Sequence, residues 1–533
     1  MATTLELIAP FKNEAIRTFS DPAEAASLEE ALVRARKAFG RHYPAIVEGK
    51  ALETVAKIAS RNPAQPEEVV GTVGSASREQ ATFAIEAAAR VFESWKRVAP
   101  AERAAYLFKS AEAVRQQRDD FNALLVLEVG KSWVEADADT AEAIDFLEFY
   151  GREALRYAQP PPLTAVPGEE NRLSYIPLGV GVVIPPWNFA FAIMAGMTSA
   201  ALVAGNTVVL KPSSDSPVVA AAFVNLLHEI GLPPGVVNFV PGSGREIGDP
   251  IVAHPRTRFI AFTGSKEVGL HINELASKTQ PGQIWIKRVI AEMGGKDSIV
   301  VAADADLDAA ADGIVASAFG FQGQKCSACS RAIVDASVYE VIEKKIVERV
   351  SKLTLGDPSQ GGIFMGPVIN AGALETMLDY VEKAVAEGGR LIAGGKRAAH
   401  EGYFLEPTVI ADVDPHATIA QEEIFGPVLA LIKADDYDHA LEIANNTEFG
   451  LTGAVYSRDE AKLERARNEF HVGNLYFNRK CTGALVGAHP FGGFNMSGTD
   501  SKAGGYDYLA LFTQAKMVSK KTGSAGNGRL GGE

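Results

Sequence analysis

Apolar and polar positions follow two different rhythms along this chain. Between residues 27 and 158 the apolar positions recur every three or four residues, which predicts mostly helix. The segments are SLEEALVRARKAFG, EQATFAIEAAARVFESWKRV, AERAAYLFKSAEAVRQQRDDFNALLVLEVG and VEADADTAEAIDFLEFYGREALRYA. Ser27, with Glu30 three residues on, predicts the cap of the first helix, which Gly40 closes. Pro100 sets the start of the third. Acids crowd the start of the fourth, where the helix dipole favours them. A strand-like interlude covers Thr54–Val73. Residues 159–172, QPPPLTAVPGEENR, are Pro-rich and polar and predict an exposed arm.

From Leu178 the rhythm changes. GVGVVIPP, NTVVLKP, GVVNFVPG and TRFIAFTG read as short buried strands, each followed by a helical segment. Such alternation predicts a parallel sheet with helices on both faces. Beyond Glu292 a second alternating run, starting DSIVVAADADLDAAADGIVASAFGFQ, predicts a second α/β domain. Ile176–Leu210 contains no charged residue and is long enough to span a bilayer. Pro177, Pro185 and Pro186 break helix there, and Asn188, Gly196, Gly205 and Asn206 punctuate the rest. A buried strand–turn–helix–strand accounts for the same composition, so no membrane span is expected.

Composition narrows the classes. The 533 residues hold 52 basic and 66 acidic side chains, a net charge of −14, which argues against a general nucleic-acid surface. The length implies two or three domains. Three cysteines cannot build a disulfide framework, so a reducing compartment is expected. Glu6, Glu14 and Asp21 make the N-terminus unlike a targeting peptide. The expected location is the cytoplasm, or a matrix compartment after processing. SKKTGSAGNGRLGGE, at the C-terminus, reads as a mobile tail.

Candidate chemistry gathers at a few positions. Cys326 lies in GFQGQKCSACS, among small residues that leave room at its sulfur. Lys325 beside it favours the thiolate; the alternative is a buried structural cysteine. Cys329 completes a C-x-x-C that a redox pair could use. Glu292, before two glycines in EMGGK, is either solvated or a general base. Asn188 in PPWNFA either caps the next helix or offers an amide to an oxyanion. Lys211 ends a buried strand, where parallel sheets bind ligands. The turn from Gly242 through Gly244 to Gly248 falls one residue short of the G-x-G-x-x-G fingerprint. Gly130-Lys131-Ser132 lacks the upstream glycine of a phosphate loop, since Leu125 stands there, and reads as a helix end. No metal-ligand spacing is present in the sequence, and no metal is expected.

Taken together, PPWNF, KPSSDSP, TGSKEVG, EMGGK, FGFQGQKCSA, QEEIFGPV and PFGG resemble the aldehyde dehydrogenase superfamily, in its order, over roughly residues 40–515. The resemblance implies an α/β fold with a Rossmann-type dinucleotide-binding domain (1–158 and 178–290), a catalytic domain (291–498) and a small oligomerisation flap (159–177 and 499–518). The mobile tail would then be 519–533. It further implies Cys326 as nucleophile, Glu292 as general base, and the Asn188 amide with the Cys326 N–H as oxyanion site. Lys211 and Glu423 match the residues that hold the cofactor riboses, and Phe425 the aromatic beside the nicotinamide. Gly264-Ser265 matches the phosphate-side turn, with Gly244 also on the cofactor side. At least a homodimer is implied.

A narrower resemblance, carried by Ser327 and NRKCTGALVGAHPFGGFNMSGTDSKAGG, is to the branch of that family acting on glutamate γ-semialdehyde, the open form of 1-pyrroline-5-carboxylate. It implies that Ser327, Gly483 and Ala484 hold the substrate's α-carboxylate and amino group, and that Phe189 and Phe491 sandwich its chain. Ser214 departs from the glutamate that many NAD-preferring relatives carry there. This removes repulsion against a 2′-phosphate, so the expected cofactor is NAD with NADP tolerated. A succinate semialdehyde dehydrogenase would be expected to hold its carboxylate with arginine. A thiol esterase or acyltransferase shares the thioester chemistry but needs no dinucleotide site. Cys481, beside the anchor segment, reads as a buried small residue or an oxidation-sensitive thiol.

Overall fold

The uncharged run 176–210 folds as a strand, Val180–Ile184, a buried helix, Ala192–Val203, and a second strand, Thr207–Leu210. Both strands are buried at almost every position, which explains the lack of charge. This computed structural model describes residues 8–522. Among them no helix is long and apolar enough to cross a membrane.

These two strands lie near the middle of a seven-stranded sheet. Its order runs Arg288–Glu292, Thr257–Thr263, Val180–Ile184, Thr207–Leu210, Val237–Phe239, then a hairpin of Ala45–Val47 and Lys50–Leu52. The first five are parallel and the hairpin joins antiparallel. Chain order reverses between Val180–Ile184 and Thr257–Thr263, so the crevice beyond their carboxyl ends is where such sheets take a ligand. The second seven-stranded sheet runs Arg390–Ala393, Thr408–Ala411, Val428–Ala434, Arg331–Asp335, Ser298–Val301, Thr452–Tyr456, Asn474–Phe477. All its pairings are parallel except that of Arg390–Ala393.

The helical N-terminal region differs from expectation in two places. The first helix is Pro22–Lys37, capped by Asp21 and not by Ser27. The Asp21 carboxylate accepts the Ala23 N–H at 2.9 Å, and Pro22 suits the first helical position because it has no N–H to leave unpaired. The Ser27 hydroxyl instead donates to Asp119 at 2.7 Å. The long third segment is two helices, Pro100–Gln116 and Arg118–Val129. Arg118, at the break, pairs with buried Asp137 at 2.6 Å. The interlude is Ala56–Asn62 and Gln65–Ser75, an antiparallel pair with His42–Tyr43 alongside.

The exposed arm leads into Glu169–Pro177, which pairs antiparallel with Thr513–Lys521 as a projecting two-stranded ribbon. Two boundaries shift accordingly. Ser519–Lys521 belong to the ribbon and not to the tail; the rest of the tail from 523 lies outside the described residues. Residues 499–512 are not ribbon either: the Ala291 N–H donates to the Thr499 hydroxyl at 3.0 Å, Phe491 and Ala503 pair main chains, and Tyr508, Leu509 and Phe512 are buried.

Candidate active site

The sequence-predicted positions leave the first sheet at its carboxyl ends. Asn188 and Phe189 follow Val180–Ile184, Lys211 follows Thr207–Leu210, Gly264-Ser265 follow Thr257–Thr263, and Glu292 is the last residue of Arg288–Glu292. From Glu292 the chain crosses through Met293-Gly294-Gly295-Lys296 into Ser298–Val301 of the second sheet. Cys326 stands before Arg331–Asp335, at the amino end of a neighbouring strand. The site thus lies where the carboxyl edge of one sheet meets the amino edge of the other. Gly295 must be glycine, because a Cβ there would collide with the Cys326 carbonyl; one on Gly294 would push aside the Glu423 carboxylate.

The nucleophile loop is held in a costly shape. Phe321 and Gln322 have φ of 49° and 56°, a region that side chains rarely adopt and that surrounding contacts must enforce. The Gln322 amide donates to the carbonyls of Gly130 and Pro367, both at 2.9 Å. The Gln324 side chain accepts the Ile369 N–H at 2.9 Å. The Asn188 amide donates to the Gln324 carbonyl at 3.1 Å, two residues before Cys326. An amide has two N–H donors; this bond orients the group and leaves the second for an oxyanion.

Cys326 keeps partial exposure, whereas Cys329 and Cys481 are buried. Burial, and then the carboxylates of Asp297, Glu423 and Glu292, push the Cys326 thiol well above its ordinary range. Lys325 does not offset this, contrary to expectation: its ammonium pairs with Glu135 at 2.7 Å. The C-x-x-C is not a unit with Cys326. The Cys329 and Cys481 amides both bond Ser317, and the Cys329 thiol donates to the Arg331 carbonyl at 3.5 Å. The Cys481 thiol donates to the Ser327 carbonyl at 3.4 Å.

Burial raises the Glu292 carboxyl to about 8. One oxygen accepts the Ser501 hydroxyl at 2.7 Å, and the other is buried with no partner. Such a group is tuned for proton transfer near neutral pH.

On the cofactor side, burial lowers Lys211 to about 8. Its ammonium reaches only the Pro212 carbonyl, at 3.5 Å, and forms no ion pair among the described residues. A buried cation with so few partners, at the carboxyl end of the strand next to the switch point, suits the hydroxyls and phosphates of a dinucleotide. Ser265 caps the helix Lys266–Ser277, so N–H groups point into the same crevice. Gly244 opens a single exposed turn capped by Ser243. Glu423, raised by burial to about 7, accepts the Gly295 N–H at 3.1 Å. Phe425, at φ 58°, packs edge-on against Trp187 at 5.5 Å. Ser214 is exposed in the loop after Lys211.

On the substrate side, Ser327 is buried beside the nucleophile. Gly483 has φ 79°, a conformation natural to glycine, and exposes its main chain next to Ala484. The Thr482 and Gly483 carbonyls accept from Arg479 at 2.9 and 3.2 Å, which leaves the segment's N–H groups facing elsewhere. Phe491 is half-buried. Phe189 lies over the ammonium of Lys131, 4.2 Å from its ring centroid. Lys131, expected only as part of a helix end, and Ser501, expected in the flap, meet their site partners through long-range folding.

A partly exposed thiol, an amide bonded two residues before it and a buried carboxyl whose charge acts on it gather beyond the carboxyl edge of a parallel sheet, an arrangement suited to cysteine-dependent oxidation of an aldehyde beside a dinucleotide. The chain belongs to the aldehyde dehydrogenase family, whose signature matches residues 47–518. It is 58% identical over 514 residues to 1-pyrroline-5-carboxylate dehydrogenase of Geobacillus thermodenitrificans, covering 96% of this chain and all of that one. It is 57% identical, with the same coverage, to the protein of that name in Anoxybacillus flavithermus. The crystal structure of 1-pyrroline-5-carboxylate dehydrogenase from Thermus with bound NAD superposes with a TM-score of 0.95 at 51% identity, over 96% of this chain and 99% of that one.

Proposed function

We propose that this enzyme oxidises L-glutamate γ-semialdehyde, the open form of 1-pyrroline-5-carboxylate, to L-glutamate with NAD, and tolerates NADP. The observation that carries this reading is the placement of Ser327 and the 482–484 segment on either side of Cys481, whose thiol joins them through the Ser327 carbonyl. A hydroxyl and free N–H groups beside the nucleophile bind a carboxylate without a fixed cation. The near full-length likeness to relatives of that name supports the same substrate.

Cys326 gives up its thiol proton to water and, as thiolate, attacks the aldehyde carbon and forms a thiohemiacetal. The free N–H of Asn188 and the Cys326 N–H stabilise its oxyanion. Lys211, Glu423, Ser265 and Phe425 hold the nicotinamide cofactor, which when bound supplies the two-electron acceptor. Oxidation leaves a thioester on Cys326. Glu292 takes a proton from water, which attacks the thioester and releases glutamate. Ser501 steadies the base. The ribbon of Glu169–Pro177 and Thr513–Lys521 presents unpaired strand edges, which favours association of chains as a homo-oligomer. Three free cysteines fit a reducing cytoplasm.

The test is a spectrophotometric assay of reduced cofactor. It uses 1-pyrroline-5-carboxylate, succinate semialdehyde and acetaldehyde in turn, each with NAD and with NADP. The first substrate is expected to give by far the highest kcat/KM. A preference for succinate semialdehyde would overturn the assignment of the carboxylate pocket.

A further inference from the structure

We infer that Lys131 is a positioning residue for the substrate's aliphatic chain. It sets Phe189 against the nucleophile loop by placing a buried cation between two aromatic rings. This rests on the reading above that Phe189 lines the chain-binding pocket.

Lys131 is fully buried. Its ammonium stands 4.2 Å from the ring centroid of Phe189 and 4.5 Å from that of Phe321. Phe189 follows the oxyanion amide, and Phe321 belongs to the strained turn before Cys326. One cation therefore holds the aromatic wall of the pocket and the loop that carries the nucleophile.

Among the described residues the ion-pair partner of Lys131 is Asp139, at 3.1 Å and equally buried, and the carboxylates of Glu135 and Glu142 feel its charge from farther away. Beyond that ion pair, neither the ammonium nor the near Asp139 oxygen has a hydrogen-bond partner among the described residues. The other Asp139 oxygen accepts the Ala192 N–H at 2.6 Å, at the start of the helix that follows Phe189. Asp139 thus ties the cation to the same turn from below. Main chain adds a second link, because the Gly130 carbonyl accepts from the Gln322 amide.

A plain apolar side chain would fill this space at much lower cost, because buried charges lose their hydration and here gain few hydrogen bonds. What the ammonium adds is direction. Its attraction to an aromatic face is strongest when the ring lies flat over it and is enhanced by desolvation. That fixes the orientation of both rings, which apolar packing alone leaves freer. A flat, fixed Phe189 face suits the methylene chain of a five-carbon semialdehyde. A short aldehyde that does not span the pocket gains little from it.

The test compares the semialdehyde with propionaldehyde in the full-length enzyme. Lys131→Met alone strands the Asp139 carboxylate, so Lys131→Met/Asp139→Asn, which removes both charges, is measured beside it. In the double variant the kcat/KM ratio of semialdehyde to propionaldehyde is expected to fall on the order of tenfold, mainly through KM for the semialdehyde. The KM for NAD should stay within twofold of wild type. Lys131→Arg, which keeps a cation able to stack on rings, should keep the ratio within threefold. A ratio unchanged in the double variant overturns the inference, as does an arginine variant that loses it equally. If the wild-type enzyme itself shows no preference for the semialdehyde, the functional reading fails instead.

Discussion

Removing the hydroxyl of Ser501 is expected to move the enzyme's pH profile without removing any group that touches the substrate. The Ser501 hydroxyl donates to Glu292 at 2.7 Å, while the second carboxyl oxygen is buried without a partner. Burial already holds this carboxyl at about 8, and the serine bond opposes that rise. A hydrogen bond to a charged group is worth about 1.5–3 kcal/mol, and one pKa unit corresponds to about 1.4 kcal/mol. Ser501→Ala should therefore raise the Glu292 pKa by roughly one to two units. In the proposed mechanism Glu292 acts as its carboxylate, so activity rises with pH through its pKa and the rising limb moves to higher pH. At pH 7.5, a rise from about 8 to 9 or 10 lowers the ionised fraction roughly 8- to 80-fold. The assay is kcat against pH from 6 to 10.5 with saturating 1-pyrroline-5-carboxylate and NAD. The variant should be slow at pH 7.5 and approach wild-type rate at the alkaline end. A limb that keeps its wild-type midpoint while the whole curve drops would refute the argument, because the serine would then act on something other than the proton affinity of Glu292.

Other consequences are as specific. Under native conditions iodoacetamide should label Cys326 alone, with Cys329 and Cys481 reacting only after unfolding; peptide mass mapping reads this directly. Ser214→Glu should lower kcat/KM for NADP at least tenfold while changing that for NAD less than threefold, because a carboxylate repels a 2′-phosphate. Gly295→Ala should abolish turnover, because its Cβ would displace the Cys326 carbonyl. Thermal unfolding of that variant should show that the rest of the fold persists.

Much of this was legible in the sequence because buried parallel strands carry no charge and short breaks separate them. The run 176–210 shows it: proline and glycine excluded a membrane helix, and the strand–helix–strand followed. Lys211 and Ser265 could be placed because each closely follows such a strand, and Asn188 and Glu292 because of the PPWNF and EMGGK motifs. Helix starts were less legible. Asp21 and Ser27 are both good caps, and only the presence of Pro22 at the first turn decides between them. The least legible roles were those set by closure across the chain. Ser501 reaches Glu292 across 209 positions, and the contact of Gln322 with Gly130 spans 192. The pairing of Lys325 with Glu135, which removed its expected effect on Cys326, is of the same kind. No local pattern marks such partners, since their spacing is fixed by the packing of two sheets.

The proposed mechanism puts the acyl group of glutamate on Cys326 and its release on Glu292. Glu292→Gln, mixed with 1-pyrroline-5-carboxylate and NAD, then quenched in acid and digested, tests it by mass spectrometry. About one equivalent of reduced cofactor in a single burst and a γ-glutamyl group on the Cys326 peptide are expected. A burst with no acyl group on Cys326, or with the group on another residue, would contradict it.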